Sequence, residues 1–251
     1  CAEPGSETLD IARKRFAELV AAWSNVEIYS FGPARINNLH DRLFFWPDRR
    51  NRGLRQVKRL IATEDVSAID IASLKQKSVA TQGLPALEFL LFGSGSETLA
   101  QAAGDYHCRY ARAVARAIDD HAAALLAGWT ASKGHAKAMT TAGPGNPIYQ
   151  TPGEAVHELL RAATVQLEIL RDLKLISMLG ETPTKTKPHR APFARSGLAL
   201  SAMRGNIDAV LSLFANARAL VLPAPVQDGY TASLQFELDQ VRSVLDKLDT
   251  D

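Results

Sequence analysis

The chain has 251 residues, of which 46% are hydrophobic and 22% are charged, and it carries a net charge of +2 at pH 7. This composition is typical of a globular protein and excludes intrinsic disorder and low-complexity arrays. The nearly balanced charge gives no reason to predict binding to nucleic acid. Only two cysteines occur, Cys1 and Cys108, which excludes a disulfide framework and a four-cysteine zinc site within one chain.

The first residues are typical of a processed N-terminus. Cys1 is followed by small and polar residues over positions 2–6, the arrangement of a bacterial lipoprotein after its signal peptide has been removed. The alternative is that the chain begins at this cysteine for a reason unrelated to lipoprotein processing. The longest apolar stretches, such as residues 84–92, are too short to cross a bilayer. We therefore expect any membrane attachment to pass through a lipid anchor on Cys1.

Apolar residues recur at three- and four-residue spacing along most of the chain, which predicts helices. The first predicted helix covers residues 9–26 and ends before Gly32 and Pro33. No stretch alternates at period two for the length of a strand, so the sequence predicts an all-α fold. The other helices are predicted over residues 54–62, 66–77, 79–92, 99–129, 151–180, 196–222 and 231–249, with a basic loop over 181–195.

A domain boundary is expected near residue 143. Residues 140–147 are rich in glycine and proline and cannot continue a helix, so they form a linker or a long loop. A capping box at residues 151–154, with Pro152 at the first helical position, then starts the next helix. The sequence thus predicts two helical-bundle-like domains, over residues 1–142 and 143–251.

Familiar catalytic motifs are absent, since the sequence contains no HExxH, GxSxG, GxxxxGK or GxGxxG. Glu154 and His157 have the spacing used in di-iron bundles, but the second pair that such a site needs is missing. His121 lies on the apolar stripe of its helix, and it is either a hydrogen-bonded core residue or a metal ligand. His107, one position off that stripe, is a further candidate metal ligand. A basic cluster forms either an anion- or headgroup-binding patch or an ordinary solvated surface, and its members are Arg42, Arg49, Arg50, Arg52, Arg55, Lys58 and Arg59.

Two segments require a further explanation. Residues 43–48 place three aromatic side chains beside a proline without a helical stripe, as in loops that line a site. Farther on, an apolar helix contains Gly83 and Pro85 just before a lone carboxylate, Glu88, and the proline is expected to kink that helix. An ionised carboxylate in apolar surroundings needs a cation, a donor or a proton. Glu88 therefore either forms a salt bridge with an arginine such as Arg42, or ligates a metal or orients a ligand.

The segment GLPALEFLLF at residues 83–92 resembles the GxHxxE signature of the imelysin family, whose signature helix continues into a similar Glu-Phe-Leu-Leu run. Gly83 and Glu88 match the signature, and Pro85 occupies the position of its histidine. The resemblance extends over most of the chain and is supported by Trp23 and by residues 32–33, 45–48 and 195–197.

The resemblance implies an all-α fold with two bundle-like domains and a cleft between them. It also implies a bacterial envelope protein, periplasmic or attached to the outer membrane by a lipid, of a family often associated with iron acquisition and also classed with metallopeptidases. A hydrolytic metal centre needs about three protein ligands and an open position, and Pro85 removes one nitrogen ligand. We therefore expect a non-catalytic component linked to iron uptake, which binds a small ligand, iron or another divalent metal in the interdomain cleft.

Two alternative functions remain open. The first is a metal-dependent peptidase. The second is a protein-interaction module, in which the aromatic loop, residues 43–48, docks an envelope protein and Glu88 forms only a salt bridge. The candidate ligand- or metal-binding residues are Glu88, Gly83, Trp46, Asp48, Arg42, Arg195 and Ser196, with His107 as a second candidate metal ligand and Cys1 as the expected site of lipidation.

Overall fold

The structure is a computed structural model that describes residues 1, 3–217 and 224–248. Its regular elements are all helical, and these residues contain no strand, which confirms the predicted all-α fold. No helix in this part of the chain is long and apolar enough to cross a membrane. In chain order the α-helices are α1 (Ser6–Val26), α2 (Leu39–Leu43), α3 (Arg52–Ala62), α4 (Ile71–Gln76), α5 (Leu84–Phe92), α6 (Asp105–Thr130), α7 (His135–Thr140), α8 (Pro152–Glu168), α9 (Ile176–Leu179), α10 (Ala199–Ala217) and α11 (Ala224–Leu248).

The chain forms two compact units. Unit 1 consists of Cys1–Leu19 and Ser30–Pro152, and unit 2 consists of Val20–Tyr29 and Gly153–Asp251. Helix α1 therefore contributes its first part to unit 1 and its last part to unit 2. The domain predicted over residues 1–142 includes all of α1, because a continuous helical pattern does not show which core each turn enters.

Helix α6 carries much of the core of unit 1. Tyr110, Val114 and Ala117 are fully buried on its inner face, at the three- and four-residue spacing that the sequence pattern predicts. Gly128, farther along the same helix, lies against Pro33, and a Cβ at that position would be 2.7 Å from the Cβ of the proline. The helix can approach the segment after α1 this closely because residue 128 has no side chain.

The helix that carries Glu88 begins later than its sequence pattern predicts. The pattern gives one helix over residues 79–92 with a kink at Pro85, whereas the structure has a 3₁₀ turn at Val79–Thr81 and then α5, which begins at Leu84. Pro85 thus lies in the first turn of α5, where a backbone N–H has no helical acceptor to lose. The prediction of a kink at Pro85 is therefore wrong.

In unit 2, α8 begins at Pro152, as the capping box predicts, and passes into a π-helix at Ile169–Leu175 before α9. The buried residues along this segment include Gln166, Leu170 and Lys174, so its inner face carries two polar side chains. The last helix, α11, begins at Ala224, earlier than the predicted start at residue 231.

Candidate functional site

Glu88 lies inside unit 1, on a helix that is almost entirely enclosed. The sequence of α5 contains no other charged residue, and the side chains around Glu88 on this helix are buried, including Leu84, Leu87 and Leu90. A helix that is apolar on all sides is expected in a core. Glu88 itself is only 3% exposed. A carboxylate at this depth requires donors or a cation around it, because burial disfavours the charged form.

Gly83 is a point of close contact between the start of α5 and the end of α2. A Cβ at position 83 would lie 2.6 Å from the carbonyl oxygens of both Arg42 and Leu43. Neither oxygen can rotate away, since both belong to the backbone. The φ angle of Gly83 is −112°, which other residues adopt readily. This glycine is thus required for space, and its match to the family signature has a packing explanation.

Next to Gly83, the buried side chain of Gln82 is the centre of a hydrogen-bond network. Its Nε2 donates to the carbonyl oxygens of Lys77 at 3.0 Å and Leu74 at 3.3 Å, which fixes the orientation of the amide. Its Oε1 accepts from Nη1 of Arg42 at 3.2 Å and from Nε2 of His121 at 3.0 Å. Because Oε1 can only accept, Nε2 of His121 must carry a proton.

Arg42 and His121 are therefore structural members of this network. Arg42 also donates from Nη1 to the carbonyl oxygen of Lys75 at 2.8 Å and from Nε to that of Asn37 at 2.9 Å, so its guanidinium ties several loops together. Burial lowers the pKa of His121, and the positive charges of Arg42 and Lys75 lower it further, whereas Asp120 opposes them. His121 is consequently a neutral core histidine at pH 7.

His107 makes a similar internal contact. It is 6% exposed, and its Nε2 lies 2.9 Å from the carbonyl oxygen of Leu90, which can only accept a hydrogen bond, so this nitrogen is protonated. Burial lowers the pKa of His107, although the hydrogen bond to Leu90 opposes the shift. The imidazole is neutral, and only Nδ1 retains a lone pair that a metal could use.

Asp48 caps the first turn of α3. Its Oδ1 accepts from the backbone N–H of Arg52 at 2.8 Å, and its Oδ2 accepts from Gly53 at 2.8 Å and from Leu54 at 3.2 Å. These are donors that a helix N-terminus leaves without helical partners. Both carboxylate oxygens are therefore engaged in helix capping. The neighbouring Trp46 is half-buried.

Trp46 packs on Phe44 in a stacked arrangement, with ring centroids 6.1 Å apart. Phe44 is fully buried, so it anchors the outer ring. The aromatic loop thus holds one ring in the core of unit 1 and presents part of another at the surface.

Arg195 and Ser196 lie in unit 2, in the turn before α10. Arg195 is exposed, and Ser196 donates from Oγ to the carbonyl oxygen of Phe193 at 3.1 Å. Phe193 adopts a left-handed φ of 57° although it is buried, a conformation that is unusual for a bulky side chain. The contact from Ser196 supports this strained turn.

The side chains present do not fit a catalytic metal centre with three protein ligands. Among the described residues, no group of three or more histidine, cysteine, aspartate or glutamate side chains is placed to hold a metal ion. Pro85 has no donor atom on its ring, and the Nε2 atom of His107 is engaged with Leu90. Glu88 contributes a carboxylate, which is a hard oxygen donor, but one carboxylate is not a set of three ligands.

The bond between the two cysteines is a feature that the sequence patterns do not predict. Cys1 and Cys108 form a disulfide across 107 residues of sequence, and the presence of only two cysteines is the signal that could have indicated the pair. A sulfur in a disulfide has no bond left for a lipid. Beside this bond, a cavity of about 380 Å³ is lined mainly by apolar side chains of α1, α5 and α6, among them Leu9, Phe16 and Leu91.

A second feature that sequence analysis missed is a buried ion pair in unit 2. Nζ of Lys174 lies 2.7 Å from Oε2 of Glu27 and 2.6 Å from Oδ1 of Asn206. Lys174 is 0% exposed and Glu27 is 5% exposed. The signal in the sequence is a lysine four residues after Leu170 on a buried helix face.

Comparison with known proteins agrees with the helical architecture. A family model described as Imelysin matches residues 1–251. A crystal structure of an imelysin-like protein from Psychrobacter arcticum 273-4 superimposes with a TM-score of 0.70 and 17% sequence identity, covering 97% of this chain and 72% of that one. No curated protein matches the chain. Because the family model extends over the full length, the chain belongs to the imelysin family.

Proposed function

We propose that this chain is a non-catalytic component of the bacterial envelope that binds a small ligand or a metal ion and is linked to iron uptake. The observation that carries the proposal is the burial of Glu88, at 3% exposure, on α5. This carboxylate occupies the position of the glutamate in the family signature, five residues after Gly83. Membership of the imelysin family supports the link to iron.

The chemistry of Glu88 suits this role. A carboxylate is a hard oxygen donor, of the kind that ferric iron and other hard cations prefer. Electrostatic attraction between a carboxylate and a cation is stronger in a protein interior than at a solvated surface. One carboxylate does not make a hydrolytic centre, which needs about three protein ligands and a bound water. Binding without hydrolysis is therefore the function that these residues favour.

The disulfide supports an envelope location. Disulfides persist in oxidising compartments, such as the bacterial periplasm, and are rare in the cytosol. The bond between Cys1 and Cys108 closes most of unit 1 into one loop. A protein that depends on this bond is expected to fold outside the cytoplasm.

Calorimetric titration with ferric citrate, and anaerobically with ferrous sulfate, tests the proposal. We expect saturable binding by the wild type and at least a tenfold loss of affinity in Glu88→Gln, which retains the shape of the side chain and removes its charge. Glu97→Gln is the matched control, because Glu97 is exposed and lies nine residues farther along the chain. Thermal unfolding of each variant shows whether a loss of binding reflects a loss of fold.

Two results would overturn the proposal. One is binding of iron with equal affinity by the wild type and by folded Glu88→Gln, and the other is no binding of iron by the wild type. Cleavage of a peptide library that is inhibited by a chelator would favour the metal-dependent peptidase instead.

A further inference from the structure

The exposed side of α3 is strongly basic. Arg52, Arg55 and Arg59 are exposed and lie at helical positions i, i+3 and i+7, so they share one face. The opposite face is buried through Gly53 and Val57. The charges are thus gathered on one side of the helix by the same amphipathic pattern that attaches its other side to unit 1.

Two further arginines extend this charge beyond the start of the helix. Arg49 and Arg50 are exposed in the turn that precedes α3, and Nη1 of Arg55 donates to the carbonyl oxygen of Arg50 at 2.7 Å. That contact holds the guanidinium of Arg55 near the turn. We call Arg49, Arg50, Arg52, Arg55 and Arg59 together the basic face.

In the part of the chain that the structure describes, no carboxylate pairs with the basic face. Among the described residues, none of its five arginines forms an ion pair, and the sequence contains no acidic residue from position 49 to position 63. The acid that precedes them, Asp48, is occupied by the backbone N–H groups of α3. Five unpaired guanidinium groups therefore concentrate positive charge on a protein whose net charge is only +2. The result is a local positive electrostatic potential that attracts anions.

The surroundings of the basic face resemble those of a membrane-binding surface. Phe45 and Trp46 are half-buried and lie shortly before it along the chain, separated from Arg49 by Pro47 and Asp48, and tryptophan is enriched where proteins meet lipid headgroups. Lys58 lies at the edge of the face, with Nζ 5.5 Å from the centre of the Phe89 ring. The three helical arginines lie along the outer side of a helix of 11 residues, which is about 16 Å long. Charges arranged along one side of a helix can contact a flat layer of lipid headgroups at the same time.

We propose that the basic face of α3 docks this protein on a bilayer that contains anionic phospholipids. The guanidinium groups pair with lipid phosphates, for which their fork geometry is suited. Single-stranded nucleic acid is a poorer match, because its binding sites combine a basic groove with several exposed stacking aromatics. The proposal is independent of iron binding at Glu88, since it uses a different set of residues.

Co-sedimentation with vesicles tests this proposal. The wild type is mixed with vesicles of phosphatidylglycerol and phosphatidylethanolamine, and separately with pure phosphatidylcholine. We expect binding only to the anionic vesicles and progressive release as the salt concentration rises. Each arginine near an anionic bilayer strengthens binding by about 1 kcal/mol, so the triple variant Arg52→Gln, Arg55→Gln and Arg59→Gln should lose about a hundredfold in partitioning.

A matched control separates the basic face from net charge. Lys14, Lys133 and Lys137 are exposed elsewhere on unit 1, and their replacement by glutamine changes the net charge by the same three units. We expect this control to lose less than tenfold. Circular dichroism checks that both triple variants retain their helices, which we expect because all six positions are exposed.

Three results would overturn the proposal. These are equal losses in the two triple variants, equal binding to anionic and zwitterionic vesicles, and no binding of the wild type to anionic vesicles. A gel-shift assay with single-stranded oligonucleotides is run in parallel, and binding to nucleic acid without binding to vesicles also contradicts a membrane partner. Iron binding by the arginine variants should equal that of the wild type, which distinguishes failure here from failure of the role assigned to Glu88.

Discussion

The buried pair of Lys174 and Glu27 predicts a large and non-additive effect on stability. The two charges are 2.7 Å apart, and Asn206 contacts both, accepting from Lys174 at 2.6 Å and donating to Glu27 at 3.0 Å. Lys174→Met removes the cation and leaves a carboxylate that is 5% exposed with a single amide donor in the described network. Breaking such a pair costs about 3–5 kcal/mol, which lowers the unfolding midpoint by roughly 6–20 °C.

Removing both charges should be less harmful than the single changes imply. In the double variant Glu27→Met and Lys174→Met, neither charge of the pair is left without its partner, and the two methionines approximate the volumes of the original side chains. We therefore expect its cost to be smaller than the sum of the single costs by at least about 2 kcal/mol, because residues in contact do not act independently. Asn206 retains its hydrogen bond to the carbonyl oxygen of Ser24 at 2.7 Å.

Urea unfolding followed by tryptophan fluorescence measures this coupling in unit 2. The chain has three tryptophans, and replacing Trp46 and Trp129 by phenylalanine leaves Trp23, which is 6% exposed and belongs to unit 2, as the reporter. Lys185→Met is the matched control, since Lys185 pairs with an exposed glutamate and should contribute less than about 0.5 kcal/mol. Equal effects of Lys174→Met and Lys185→Met, or strict additivity in the double variant, would refute the reasoning.

Three further predictions concern unit 1. Burial lowers the pKa values of His107 and His121, so below their ordinary value of about 6.5 the unfolded state binds more protons than the folded state. Urea unfolding at a series of pH values should therefore show full stability above this value and a decline as the pH falls towards the folded-state pKa values. Gly83→Ala should cost about 2–3 kcal/mol because its Cβ meets backbone, whereas Gly143→Ala, with open space around it, should be nearly neutral in the same assay. Asp48→Ala should cost about 1–2 kcal/mol by uncapping α3, and thermal unfolding that is unchanged would contradict the capping role.

The helical periods of the sequence predict the elements well, because each helix must bury one continuous stripe. The buried positions of α6 follow the predicted spacing through Tyr110, Val114 and Ala117. The start of α8 at Pro152 also follows from local chemistry, since proline fits a first turn. The same rule, applied to Pro85, would have placed the start of α5 correctly, but the apolar run from residue 79 obscured that boundary.

The candidate site could be predicted only in part, because its partners come from distant segments. The sequence indicates that Glu88 is enclosed, since eight uncharged residues surround it within α5. It gives no sign that Arg42 and His121 meet at the amide of Gln82, because these three residues lie on different segments. Such pairings depend on tertiary packing, which periodicity and spacing do not encode.

The disulfide also changes how attachment to a membrane must be explained. A lipid anchor and the bond to Cys108 both require Sγ of Cys1, and that atom forms only one bond beyond its own Cβ. The two states are therefore exclusive in any one molecule. Under the proposal above, a disulfide-bonded chain binds a bilayer through its surface, and the arginines of α3, such as Arg52 and Arg55, supply the unpaired charge. In a lipid-anchored chain those arginines would orient a protein that is already attached. Both forms, the lipid-anchored one and the disulfide-bonded one, would therefore use the basic face of α3 against an anionic bilayer. Vesicle binding by the disulfide-bonded form measures the contribution of α3 alone.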